Sequence, residues 1–245
     1  MTRIAWNDFW TMLPAEPGAA LWDSSPEVTA ARHLPLFHAR LDPLLPLVDV
    51  GCGSGRQTQW LARHFPRVIG LDIAEAAVKL ADRTYPAPNV TYRCADLLDQ
   101  HAAAALRAEL GDVNIYMRGV LHQLAPAERS TMVKAVGLLL GVPGHIFAQE
   151  LTEHTGWYIK ELLEGGESLP KTAELAARFD FGARFAPAHE GRLRRLLERG
   201  GLDVVAEGDI PLHTTENDSG GRPLELPTSY VVARTATHPR PEENS

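Results

Sequence analysis

The chain has 245 residues, 44% of them hydrophobic and 22% charged, which suffices for one sizeable core and excludes a disordered or fibrous protein. Its formal net charge of −7 argues against a surface built for nucleic acid, and Arg192, Arg194, Arg195 and Arg199 share a helical pattern that reads as a solvated face. No apolar run reaches the roughly 18 to 20 residues of a membrane span and no signal-peptide stretch opens the chain, so a soluble cytoplasmic protein is expected. Cys52 and Cys94 offer neither a disulfide framework nor zinc-ligand spacing and read as free thiols.

In chain order, residues 1–45 carry Trp6, Trp10 and Trp22 with prolines between helical fragments, and predict an N-terminal helical cap. These tryptophans either anchor a helix on the core or face a ligand; Trp10 is a candidate substrate contact. From residue 46 to 235, short β-branched runs alternate with alanine- and leucine-rich stretches, the pattern of a doubly wound α/β sheet with helices on both faces. The predicted strands are 47–50, 68–71, 90–93, 113–117, 145–149, 202–207 and 229–233. Helices are predicted near 55–65, 74–84, 100–110 and 126–140, the last opened by Pro126. Residues 151–186 break the rhythm as a lid-like insertion before a helix at 188–199. The polar stretch Thr214 to Arg222 and the tail 236–245 are expected to be of low order.

A strand that runs into Gly51-x-Gly53-x-Gly55 and then into a helix makes a tight turn whose backbone a ligand can approach. In an open α/β sheet this first turn lies where strand order reverses, at the usual ligand crevice. A dinucleotide fingerprint needs a glycine where Arg56 stands, and no phosphate-loop Gly-Lys-Ser/Thr follows. Asp49, just ahead of the glycines, repels a pyrophosphate and suits an ammonium group. With Gly51, Cys52, Gly53 and Gly55, it is expected to hold an amino-acid moiety. Asp72 ends the second strand, where a carboxylate accepts both ribose hydroxyls. Asp96 follows the third strand, placed for an exocyclic amine while Ile73 and Leu97 sandwich an adenine. On the plainer reading the three acids are helix caps at the surface.

The runs Val48-Asp49-Val-Gly-Cys-Gly-Ser-Gly55, Leu71-Asp72-Ile73 and Ala95-Asp96-Leu97 resemble, in order and spacing, the first three motifs of class I S-adenosylmethionine-dependent methyltransferases. The resemblance covers roughly residues 46–150. It implies a Rossmann-like seven-stranded sheet with its last strand antiparallel, and S-adenosyl-L-methionine as cofactor, released as S-adenosyl-L-homocysteine. Methyl transfer from a sulfonium is an in-line displacement, in which the protein aligns a nucleophile at roughly 3 Å and excludes water.

The segment Arg118-Gly-Val-Leu-His122-Gln-Leu124 is similar to the Val-Leu-His-His-Leu type of segment that borders the methyl group in small-molecule members of the family. The resemblance makes His122 the candidate general base; its alternative is packing against the sheet or capping the next helix. Arg118 is a candidate for the cofactor carboxylate or an acidic substrate, against a structural ion pair. Glu150, ending the fifth strand, and His154, Trp157 and Tyr158 beyond it are expected in the substrate wall. Met117-Arg118-Gly119-Val120 stand where methyltransferases of nucleobase amino groups or glutamine carry Asp/Asn-Pro-Pro-aromatic, which disfavours those acceptors. Glu150 is the one acid at the ends of strands four and five, so no metal is expected.

The reading is methyl transfer to an O, N or C nucleophile of a small metabolite, in secondary metabolism, with no nucleic-acid or membrane partner. One rival is a noncatalytic S-adenosylmethionine-binding protein or partner subunit. Another is a nicotinamide-dependent oxidoreductase, which Asp49 and Arg56 oppose.

Overall fold

The computed structural model describes residues 3–179 and 192–236. Five strands lie parallel: β1 (Leu47–Val50), β2 (Val68–Asp72), β3 (Val90–Cys94), β4 (Asn114–Arg118) and β5 (His145–Leu151). Then β9 (Thr228–Thr235) runs antiparallel between β5 and β6 (Leu202–Asp209), giving the order β3-β2-β1-β4-β5-β9-β6. The last strand of the chain is thus the antiparallel one, as the resemblance implies.

Strand alternation sorts the side chains onto two covered faces, which is why the central strands are buried along nearly their whole length. Val48, Val50, Ile69, Leu71, Ile115 and Met117 meet α5 (Gln100–Leu110), α6 (Pro126–Leu140) and α9 (Arg192–Arg199). Leu47, Val68, Tyr116 and Phe147 meet α2 (Ala30–Phe37) and α3 (Arg56–Leu61). On this second face His33 of α2 shares a 2.7 Å hydrogen bond with the Tyr116 hydroxyl. Between β2 and β3 runs α4 (Glu75–Thr84), which packs on α1 (Arg3–Met12) through Ala77, Leu80, Phe9 and Trp10. Strand order reverses between β1 and β4, so the turns that follow these two strands flank a crevice at the carboxyl edge of the sheet.

The segment around Thr214 to Arg222 departs from expectation. Instead of lacking order, β7 (Leu212–Asn217) and β8 (Pro223–Leu226) pair as an antiparallel hairpin outside the main sheet, which brings the described strands to nine. Its polar residues are satisfied by tertiary partners, a signal that no local pattern carries. Buried Glu216 accepts the backbone N–H groups of Lys171 and Thr172 at 2.5 and 3.1 Å, at the first turn of α8 (Pro170–Phe179). The Thr215 N–H and hydroxyl donate to the carbonyls of Leu21 and Ala20 at 2.8 and 3.1 Å. Lys171 Nζ donates to Gly18 O and Thr215 Oγ1 at 2.6 and 2.8 Å. The N-terminal segment, α8 and the hairpin are therefore joined to one another.

Ahead of α8, α7 (Glu153–Glu164) follows β5 directly. Residues 180–186 of the expected insertion, the start of the helix predicted at 188–199, and the tail beyond 236 lie outside the described residues. On α9, Arg194 pairs with Glu198 at 3.1 Å and also with Glu207, which fits a solvated charged face. Among the described residues no helix is long and apolar enough to cross a membrane.

Candidate active site

The turn after β1 is tied to the end of β2. The N–H groups of Gly51 and Cys52 reach Leu71 O at 2.8 and 2.9 Å. Asp72 accepts the Gly53 N–H on Oδ2 and the Ala74 N–H on Oδ1, both at 2.9 Å. Burial pushes the Asp72 carboxyl above its usual range, and those two amides pull it back. Each carboxylate oxygen has a second lone pair left to accept a further donor. Gly53 has φ +53°, and a Cβ there would come within 2.9 Å of the Trp10 ring, so the indole lies directly on bare backbone. After β3, Asp96 accepts the Leu98 N–H on Oδ1 at 2.9 Å. Gly51, Cys52, Gly53, Asp72, Ile73, Asp96, Leu97, Arg118, His122 and Trp10 all line one cavity of about 200 Å³. Burial raises the Cys52 thiol well above its ordinary range, so it lines this wall protonated.

Six residues singled out from the sequence sit elsewhere. Asp49 is 3% exposed and lies below the turn, where it accepts the Thr58 hydroxyl at 2.6 Å. The reason is strand period: Asp49 shares the face of Leu47 and its neighbour Tyr116, toward α3, and not the edge. Gly55, at φ +83°, is needed for packing, since a Cβ would meet Ala81 Cβ at 2.7 Å and the Tyr92 hydroxyl at 2.8 Å. His154 and Trp157 face outward, Trp157 being 65% exposed, because α7 turns Thr155 and Ile159 inward. Tyr158 packs with Ile159 and the hairpin leucines away from the cavity wall. Glu150 stands behind the wall, its carboxylate consumed by the backbone described next.

His122 and Glu150 form a clamped pair. Glu150 Oε1 accepts the N–H groups of Val120 and Leu121 at 2.8 and 2.7 Å. Oε2 accepts the His122 N–H at 3.2 Å and faces His122 Nδ1 at 2.8 Å. From the other side, buried Arg129 donates through Nε to Leu121 O at 2.9 Å and through Nη2 to His122 O at 3.4 Å. A carboxylate facing Nδ1 keeps the proton there and assigns the basic lone pair to Nε2. Among the described residues Arg118 forms no ion pair with an acid; Nη1 and Nη2 both donate to Trp22 O at 3.1 Å.

A family model described as a methyltransferase domain matches residues 47–141, the β1-to-α6 segment that carries the glycine turn, Asp72, Asp96 and His122. A solved S-adenosylmethionine-dependent methyltransferase from Anabaena variabilis is 30% identical with a TM-score of 0.84, covering 95% of this chain and 94% of that one. The chain belongs to the S-adenosylmethionine-dependent methyltransferases. Its cofactor is S-adenosylmethionine. Among curated relatives of this methyltransferase, a ubiquinone biosynthesis O-methyltransferase of Coxiella burnetii is 25% identical, over 70% of this chain and 69% of its own length. A trans-aconitate 2-methyltransferase of an Acidovorax species is 31% identical, over 45% of each chain, so the match spans less than half of that enzyme.

Trp22, one of the tryptophans noted in the sequence, roofs the methyltransferase's cavity, and sequence reasoning did not reach Asp23, Leu151, Leu175, Leu212 and Leu226 beside it. Asp23 accepts the Ser54 hydroxyl and the Gly18 N–H, both at 2.9 Å, and its carbonyl accepts Arg56 Nη1 at 3.0 Å. Chain distance hides such contacts; the one available signal was a tryptophan-rich start joined to no predicted core helix.

Proposed function

We propose that this methyltransferase moves a methyl group from S-adenosylmethionine to a hydroxyl oxygen of a small molecule, with His122 as general base. The observation that carries this reading is that His122 lines the cavity while its Nδ1 is held at 2.8 Å by Glu150 behind the wall. The cofactor supplies an electrophilic methyl on a sulfonium.

Asp72 accepts the ribose hydroxyls on its remaining lone pairs, and Asp96 receives the adenine amine between Ile73 and Leu97. Gly51, Cys52 and Gly53 admit the amino-acid end. Arg118, fixed on Trp22 O, meets its carboxylate. Asp49 acts at one remove, as a negative charge beneath the ammonium. A hydroxyl is a poor nucleophile until it loses its proton, and an imidazole with Nδ1 held by a carboxylate takes it on Nε2. Trp10 and Trp22 of the N-terminal segment, Leu151 at the end of β5 and Leu175 of α8 serve as covers that exclude water from the sulfonium. The O-methyltransferase relative, matched over most of this chain, supports oxygen as the acceptor atom.

The test is single turnover with methyl-labelled S-adenosylmethionine and a panel of hydroxyl, amine and thiol acceptors. Label should appear in an ether. His122→Ala should lose on the order of 10²- to 10⁴-fold in kcat while binding S-adenosylhomocysteine as before. Glu150→Gln should lower kcat while S-adenosylhomocysteine affinity is kept, because the carboxylate that holds the His122 Nδ1 proton and orients the ring is gone. Label on nitrogen or sulfur, or a His122→Ala protein that keeps more than about a third of its kcat, overturns the reading.

A further inference from the structure

We infer that the acceptor is a phenol with a hydrophobic body, seated beneath the β7–β8 hairpin; the inference rests on the base assigned to His122. The hairpin's position follows from pairing. Thr228 of β9 pairs with Leu151 of β5, and Asp209 of β6 pairs with Ser229. Antiparallel β9 therefore brings the end of β6 and its own start to the carboxyl edge of β5, one residue from Glu150, and the hairpin between them springs from that edge.

Leu212 and Leu226 are direct cross-strand partners, so both point to the same side of the hairpin. Both are buried, and both line the cavity with Leu151, Leu175, Leu124 and Trp22. Leu124 follows the His122 turn and Leu151 follows Glu150, so the apolar wall adjoins the base. The acids after β2 and β3, Asp72 and Asp96, belong to the cofactor half of the crevice. The hydrophobic half is built, because Glu216 and Lys171 lock the hairpin to α8 and the N-terminal segment at 2.5 to 2.8 Å. An acceptor there gains by covering apolar surface, whereas a polyanion would lose its hydration against leucine and tryptophan.

The base points to the kind of hydroxyl. Imidazole is a weak base, able to share the proton of a phenol, of pKa about 10, but not that of a hydroxyl as weakly acidic as water, about 15.7. In the step the phenolic O–H bond breaks and its proton passes to His122 Nε2. The oxygen lone pair bonds the methyl carbon as the C–S bond breaks, and that electron pair stays on sulfur, which becomes a neutral thioether.

The test saturates the protein with S-adenosylhomocysteine and titrates it calorimetrically with para-alkylphenols from methyl to hexyl and, separately, with citrate. Affinity should rise about three- to fourfold per methylene over the first members, and citrate should bind more weakly than any of them. Leu226→Ala and Leu212→Ala should flatten the rise, with S-adenosylhomocysteine affinity reporting that the fold is intact; if either misfolds, the parent's series decides. A flat series, or citrate binding ahead of the phenols, overturns the hydrophobic chamber. With S-adenosylmethionine present, para-hexylcyclohexanol methylated as fast as para-hexylphenol overturns the phenol. Binding needs no proton transfer, so a rising series alongside a fully active His122→Ala protein removes the base and leaves the chamber standing.

Discussion

Asp49 offers a quantitative test of how the turn is built. Its carboxyl lies under the glycine turn, and burial pushes its pKa from 3.8 to about 6; the Thr58 hydroxyl and Arg118 pull it down, and Asp72 pushes it further up. The folded state therefore holds this proton more tightly than the unfolded chain does. That contribution to stability is fully present below pH 3.8 and is lost as pH rises through about 6. The gap between 3.8 and about 6, at about 1.36 kcal/mol per pH unit, amounts to about 3 kcal/mol. Asp49→Asn keeps an oxygen for the Thr58 hydroxyl and removes the titration. The ligand-free variant should gain up to about 3 kcal/mol over the parent between about pH 4 and about pH 8, whatever constant offset the amide adds. Urea unfolding of both proteins across that range measures it. A parent–variant difference that does not change with pH would refute the assignment of a raised pKa to the buried carboxyl beneath the turn.

Two further outcomes follow from the same geometry. Asp72→Ala should weaken S-adenosylhomocysteine binding by about 1 to 3 kcal/mol, the cost of unmade charge-assisted hydrogen bonds; a folded variant that binds like the parent in calorimetry moves the ribose elsewhere. His33 tests the opposite slope: burial, then the charges of Arg118 and His213, lower its pKa from 6.5 to about 3. A buried neutral imidazole stabilises the fold above pH 6.5, and that contribution fades as pH falls toward about 3. Between about pH 7 and about pH 4, His33→Phe should therefore lose about 3 kcal/mol less stability than the parent, and equal losses in urea unfolding would exclude the buried neutral ring.

The sheet was legible in the sequence because its determinants are local. Leu47–Val50 and Val68–Asp72 are short, mostly apolar runs buried on both faces, Pro126 opens α6, and the positive φ of Gly51, Gly53 and Gly55 suits glycine. The positions of Asp72 and Asp96 in the cavity wall were legible as well, since a residue at a strand's end must face the carboxyl edge. Asp49 was not, because one position further back the strand's period of two turns a side chain onto a face. Glu150 was misread for a related reason: a carboxylate at a strand's end is drawn to the nearest unpaired N–H groups, and here these belong to the turn at Val120–His122. The hairpin shows the same limit most plainly. Leu212-His-Thr-Thr-Glu-Asn217 has no hydrophobic alternation. Its strand exists because Glu216 caps α8 and Thr215 bonds the N-terminal segment. Local pattern determined the cofactor edge, and tertiary structure decided the roof, because a polar residue can be buried only where a partner from a distant part of the chain is waiting for it.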